Sequence, residues 1–125
     1  MVPNGWYGSY TNPLSYVIVE EYIARYGGTA SDINADVAEA YSVGQVVDQA
    51  VMHNQNLSNA KLIAYLHSGV ILQSVQGPVQ FTALGQNLQP AAFVFQWQNG
   101  SFTQVLPVGA PGSAAILNPK PHWSS

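Results

Sequence analysis

Two short constellations carry side chains able to hold a small molecule. Trp6-Tyr7 lies in a loop with Gly5 and Gly8, just ahead of the first amphipathic stretch. Adjacent aromatic rings there either wall a pocket or plug the end of a hydrophobic core. The second constellation is Asp36 to Tyr41, at the start of the most regular helical pattern in the chain. Free backbone amides at a helix start favour an anion, whereas Asp36 and Glu39 could accept a ligand ammonium. The same two acids also complement the helix dipole with no ligand at all.

No catalytic constellation accompanies them, so no enzyme activity and no cofactor are expected. His53 and His67 each fall near a predicted helix C-terminus, where the dipole favours a protonated imidazole. With no cysteine and no His-x-x-x-His spacing, neither histidine reads as a metal ligand. His122 lies in the tail and has no assigned role. Glu20-Glu21 reads as a solvated face. Gly109 to Ala115 has the small residues of a phosphate loop, but Asn118-Pro119-Lys120-Pro121 follows at once and leaves no helix to supply amides.

The elements that must position these residues come from a chain of 125 residues, one domain's worth of material, of which 47% are hydrophobic. Only 7% of residues are charged, against roughly 25% in ordinary globular domains. Nine Asn and eleven Gln stand where charges usually stand, and all six acids fall between Glu20 and Asp48. Three basic residues give no electrostatic footprint for nucleic acid. The scarcity of charge fits either adaptation to an acidic exterior, where amides do not titrate, or drift toward Gln and Asn. No apolar run reaches the ~18 residues of a membrane span. Met1 to Asn12 hold neither a basic n-region nor an apolar h-region, so no signal peptide is expected within them.

Helical periodicity comes first and alternation second, giving an α/β chain in the order α then β. Val2 to Pro13 reads as a loop. Helix one is expected over Pro13 to Tyr26, capped by Asn12 and ended by Gly27-Gly28, with Leu14, Ile18, Val19, Tyr22, Ile23 and Tyr26 inward. Helix two is expected over Ala35 to Met52, with Asn34 or Asp36 near its start and Ala40, Val43, Gly44, Val47, Ala50 and Val51 as its buried face. Gly44 in mid-helix costs about 1 kcal/mol against Ala, which suggests a close neighbour. Helix three is expected over Asn59 to His67, capped by Ser58, with Ala60, Ile63 and Leu62 or Leu66 inward. Val70 to Val75 is a short extended piece, and Gly77 to Phe81 a strand at an edge, because of Pro78. Ala92 to Gln98 and Ser101 to Pro107 flank Asn99-Gly100 as a hairpin. Val108 to Ser125 reads as an extended tail.

Several motifs in order carry a family resemblance. They are the aromatic loop and Asn12-Pro13, EEYIARYGGTASD (Glu20 to Asp32), ADVAEAYSVGQVVDQAV (Ala35 to Val51), NAKLIAYLHSG (Asn59 to Gly69), GPVQF (Gly77 to Phe81) and VFQWQNGSF (Val94 to Phe102). From about Trp6 to Trp123 the chain resembles the C-terminal third of the extracytoplasmic solute-binding proteins of ABC transporters, of the branched-chain amino-acid (Leu/Ile/Val-binding) type. The resemblance implies a fragment of a two-lobed periplasmic-binding-protein-like fold: three helices, a short strand and a C-terminal β-hairpin. Residues 1–88 would form the end of the first lobe, and residues 89–125 a hairpin and tail from the second.

It implies binding of an amino acid or similar carboxylate for ABC-transporter uptake, in the periplasm or otherwise outside the cytoplasm. The permease would be met through the full-length parent, whose signal peptide lies outside this chain. The start of helix two would border the cleft. Ala38 falls where some relatives carry an apolar-pocket residue, and its small side chain would leave room for a bulky ligand. The expected ligand-binding set is therefore Trp6, Tyr7, Asp36, Ala38 and Glu39. Relatives commonly carry an acidic turn after the Gly-Pro strand, and here it reads Thr82-Ala83-Leu84-Gly85. The alternative is a stand-alone structural or interaction domain that binds no solute. In either case the isolated chain is expected to expose apolar surface and self-associate, a homodimer being the simplest product.

Overall fold

A computed structural model describes residues 2–4, 6, 14–88, 93–109 and 112–119. The chain divides into two compact units, one of Trp6–Ala91 and one of Met1–Gly5 with Ala92–Ser125. The sequence boundary at 88/89 falls three residues short of the break near 91, and the first five residues join the C-terminal unit.

The larger unit begins with α1, Ser15–Tyr26. Ser15 and Ile18 are buried, with Leu14, Val19 and Tyr22 packed beside the core, as the helical period predicts. Tyr26, expected inward, is exposed. Leu14 occupies the cap position without a side-chain hydrogen bond, and the expected cap Asn12 and first-turn Pro13 lie outside the described residues. Gly27, at φ +75°, ends the helix, and its N–H donates to Ile23 O at 2.8 Å.

A 3₁₀ turn, Ala30–Asp32, links α1 to α2, Ala35–Asn54. Asn34 caps α2, its Oδ1 accepting from the Val37 N–H at 3.0 Å. The buried stripe of α2 is Ala38, Ser42, Val46 and Ala50, one residue every four. The expected face is thus corrected by rotation: Val43 and Val47 are 64% and 45% exposed, and only Ala50 is common to both sets. The true stripe escapes a hydrophobicity reading because it contains a serine. Ser42 can be buried because its Oγ donates back to Ala38 O at 2.8 Å.

The reasoning about Gly44 is corrected as well. A Cβ added there would meet nothing within 4 Å. Gly44→Ala is therefore expected to stabilise the chain by about 1 kcal/mol, since only helix propensity changes. Urea unfolding checks this, and a loss of stability would reveal a neighbour on that face.

The third helix, α3, is Asn59–Leu66. Ser58 sits at its cap position but makes no side-chain capping bond, and no residue of α3 is buried. Ile63, expected inward, is 52% exposed. The helix is held to α2 partly by His53, whose ring stacks on Tyr65 with centroids 4.0 Å apart.

Strands β2, Ile71–Ser74, and β3, Gly77–Gln80, pair antiparallel as a hairpin. Helix α2 closes the open side of β2 with side-chain amides. Gln49 donates to Gln73 O at 2.8 Å and accepts from the Gln73 N–H at 3.0 Å, while Gln45 accepts from the Val75 N–H at 2.8 Å. Each bond satisfies a backbone group that a neighbouring strand would otherwise pair. After β3, Thr82 organises the turn to Gln86. Its Oγ1 accepts from the Leu84 and Gln86 N–H groups at 3.2 and 3.1 Å, the role a carboxylate oxygen would play.

The second unit is a three-stranded antiparallel sheet in the order β1, β4, β5, with β1 at Val2–Asn4, β4 at Phe93–Gln98 and β5 at Ser101–Leu106. Strand β1 corrects the reading of Val2 to Pro13 as loop throughout. Alternation is not visible over three residues, and Pro3 is tolerated because β1 is an edge. The β4–β5 turn is where its dipeptide predicts: Asn99 and Gly100 take φ +49° and +77°, between the partners Gln98 and Ser101.

Candidate functional site

The first turns of α2 run beside α1 and leave a groove of about 760 Å³. From α1 it is lined by Ile18, Glu21, Tyr22, Ala24, Arg25 and Tyr26, and from α2 by Val37, Ala40 and Tyr41. Its size falls in the range of small-molecule sites, roughly 300–1,000 Å³. Ile18, Glu21, Tyr22 and Arg25 recur at helical intervals, so one face of α1 presents both apolar and charged groups, with Ala24 and Tyr26 at its margins.

The polar groups are few and fixed. The Tyr41 hydroxyl donates to Glu21 Oε2 at 2.8 Å, which bridges the two helices. That bond, reinforced by partial burial and the charge of Glu21, holds the Tyr41 proton above the ordinary phenol range. Tyr22 and Tyr26 lie with centroids 4.9 Å apart, and the Arg25 guanidinium stands 5.6 Å above the Tyr26 ring. A cation, an anion and two aromatic faces thus share one open groove. Between α1 and α2, the Asp32 carboxylate accepts from the Thr29 N–H and hydroxyl at 2.7 and 3.0 Å. These bonds, the backbone one first, lower its pKa.

The structure separates the residues picked from the sequence. Trp6 is 0% exposed; its indole N–H donates to Ser15 Oγ at 3.2 Å, and Ser15 Oγ donates to Val75 O at 2.9 Å. Ala38 is also 0% exposed, in a cluster with Trp6, Ile18, Ile33 and Val75. The space beside its methyl group is filled by core. Asp36 and Glu39 are exposed on the first turn of α2, off the groove face formed by Val37, Ala40 and Tyr41. Tyr7 lies outside the described residues. Asp36 and Glu39 thus begin the same helix as the groove residues Val37, Ala40 and Tyr41 but lie on a neighbouring face.

Of the groove residues, Glu21, Tyr22 and Arg25 are not among those singled out from the sequence as ligand contacts, and Tyr41 falls only within the Asp36 to Tyr41 stretch. The available signal was the pairing of Glu21 with Arg25 and of Tyr22 with Tyr26, both at i, i+4 on α1. Among the described residues, no cluster of His, Cys, Asp and Glu could hold a metal ion, and no helix is long and apolar enough to cross a membrane.

No protein-family model matches the sequence, and no curated protein matches it. Solved structures do match in fold. A leucine-binding protein from Thermotoga maritima superimposes with a TM-score of 0.65 at 18% identity, covering 82% of this chain and 28% of that one. A solute-binding protein of an ABC transporter from R. palustris, solved with benzoate, gives a TM-score of 0.62 at 14% identity, with the same coverage of both chains. The chain carries part of a periplasmic-binding fold. It spans 28% of the length of each of these two structures. The likeness extends across most of the chain, as the ordered motifs imply.

Proposed function

We propose that this chain forms part of an extracytoplasmic solute-binding protein that delivers a small carboxylate to an ABC permease. The observation that carries the reading is the fold shared over 82% of the chain with two solute-binding proteins. The α1–α2 groove supplies matching chemistry. One neighbour is named for leucine and the other was solved with benzoate. Both molecules join a carboxylate to an apolar body. Arg25 would meet the carboxylate, and the rings of Tyr22 and Tyr26 the apolar part. Glu21, in the groove lining, would meet an ammonium where the solute has one; Asp36 and Glu39, off the groove face, would contribute only negative charge at its rim. Trp6 and Ala38 would act from inside by fixing the helices, and Tyr7 is kept as a candidate ligand contact on its residue type alone.

Thermal unfolding with millimolar leucine, other amino acids and aromatic carboxylates tests this. Binding to the folded state alone raises the midpoint as ligand exceeds its dissociation constant. A rise with at least one member of the panel is expected. Midpoints unmoved by every member would count against solute binding by this chain.

A second reading, self-association without a solute, is favoured by a specific observation. Tyr16, Tyr26, Val43, Val47, Met52 and Ile63 are all 45% exposed or more. Fully burying such side chains is worth about 1.5–3 kcal/mol each. Sedimentation equilibrium at micromolar concentration is expected to show dimers or larger species. A monomer that binds no hydrophobic dye would remove this reading.

A further inference from the structure

We propose that the glutamine face of the β4–β5 hairpin receives an extended polypeptide through its main chain, and that the tail of a second copy can replace the chain's own. Gln96 and Gln98, two apart on β4, project from the same face of the strand. Gln96 pairs doubly with the main chain of Leu117: its Nε2 donates to Leu117 O at 3.0 Å, and its Oε1 accepts from the Leu117 N–H at 2.9 Å. Gln98 Nε2 donates to Ala115 O at 2.8 Å and to Gln96 Oε1 at 2.9 Å, which also orients the Gln96 amide. On β5, Gln104 O accepts from the Ala114 N–H at 2.9 Å.

These contacts form a reading frame. Side chains two residues apart on a strand repeat at about 6.8 Å, and so do alternate carbonyls of an extended segment. Gln96 and Gln98 therefore meet Leu117 and Ala115 in register. Every group of the tail in this set is a backbone group. The side chains of Ile116 and Leu117 remain 41% and 39% exposed. Recognition by main chain alone cannot distinguish the tail of this copy from that of another. Four hydrogen bonds to the tail, made near solvent, oppose the ordering of at least four residues, Ala114 to Leu117. The two contributions are of the same order, so the tail detaches readily. A tethered tail competes at an effective concentration in the millimolar range, so exchange between copies becomes visible at comparable protein concentration. Reciprocal exchange gives a closed pair.

The test uses the full chain. Ser113→Cys carrying a nitroxide is mixed at millimolar concentration with an equal amount of isotope-labelled native chain. Paramagnetic broadening of the Gln96 and Gln98 side-chain amides on the labelled chain is expected, fading on dilution and, for the Gln98 amide, when the labelled chain carries Gln96→Ala. Undiminished signals from both amides, whether or not other surfaces broaden, would overturn exchange on this face. Hydrogen exchange on the unmodified chain supplies a second readout. The Ala114 and Leu117 amides are expected to exchange at least tenfold faster than the β4–β5 ladder, and equal protection would overturn detachment.

Discussion

Trp6→Ala is expected to unfold most or all of the 6–91 unit. The indole is wholly enclosed, in one cluster with Ile18, Ile33, Ala38 and Val75. Truncating a buried Trp to Ala typically costs about 3–5 kcal/mol, from lost transfer free energy plus the cavity left behind. A whole domain holds only about 5–15 kcal/mol. The cost here has a second source. The indole N–H donates to Ser15 Oγ, which donates onward to Val75 O. This relay ties the segment before α1, the first turn of α1 and the β2–β3 turn. Ser15→Ala, which breaks the relay but keeps the ring, should cost less, about 1–3 kcal/mol for the buried groups left unpaired. Denaturant unfolding followed by circular dichroism ranks the two. A Trp6→Ala chain within about 1 kcal/mol of the native one would show that the ring does not join these segments.

Ala38→Leu is expected to destabilise the chain by about 1–3 kcal/mol, the usual cost of forcing methylenes into a filled core. The experiment separates two accounts of one residue. In the account drawn from the resembled family, Ala38 is small so that a ligand side chain can enter, and a leucine would occupy that space with little strain. In the structure the space is taken by Trp6, Ile18, Ile33 and Val75. The same unfolding measurement decides, and an unchanged or raised stability would mean that a cavity adjoins Ala38.

The legible parts of the fold share a physical reason. Elements bounded by strong local chemistry stand where the sequence places them. Asn34 caps α2, Gly27 ends α1, and Asn99-Gly100 supplies the positive φ angles of the hairpin turn. Their determinants lie within three or four residues of the effect. What was illegible depends on partners distant in sequence. Strand β1 exists by pairing Val2–Asn4 with β4, some ninety residues away. The buried face of α2 is set by distant partners, Ala38 joining Trp6, Ile18 and Val75, and it is partly polar, so Val43 and Val47 mislead.

The surplus of amides was legible as a count but not as a function. Gln45 and Gln49 close β2, and Gln96 and Gln98 hold the tail, contacts that only the folded chain reveals. The groove was half legible. Acids at the start of α2 are conspicuous and draw attention to that end of the helix, though Asp36 and Glu39 themselves lie off the groove. The groove's α1 wall was passed over because Tyr22 and Tyr26 also suit an apolar stripe.

The measurement closest to the central claim is residue-resolved. The isotope-labelled chain is titrated with leucine and with benzoate, and amide and side-chain shifts are followed by NMR. The account predicts saturable shifts centred on Tyr22, Arg25 and Tyr41, reduced by Arg25→Ala with the fold intact. Saturable shifts centred elsewhere, or none with either ligand, would contradict the assignment of the α1–α2 groove as the solute-binding surface of this chain.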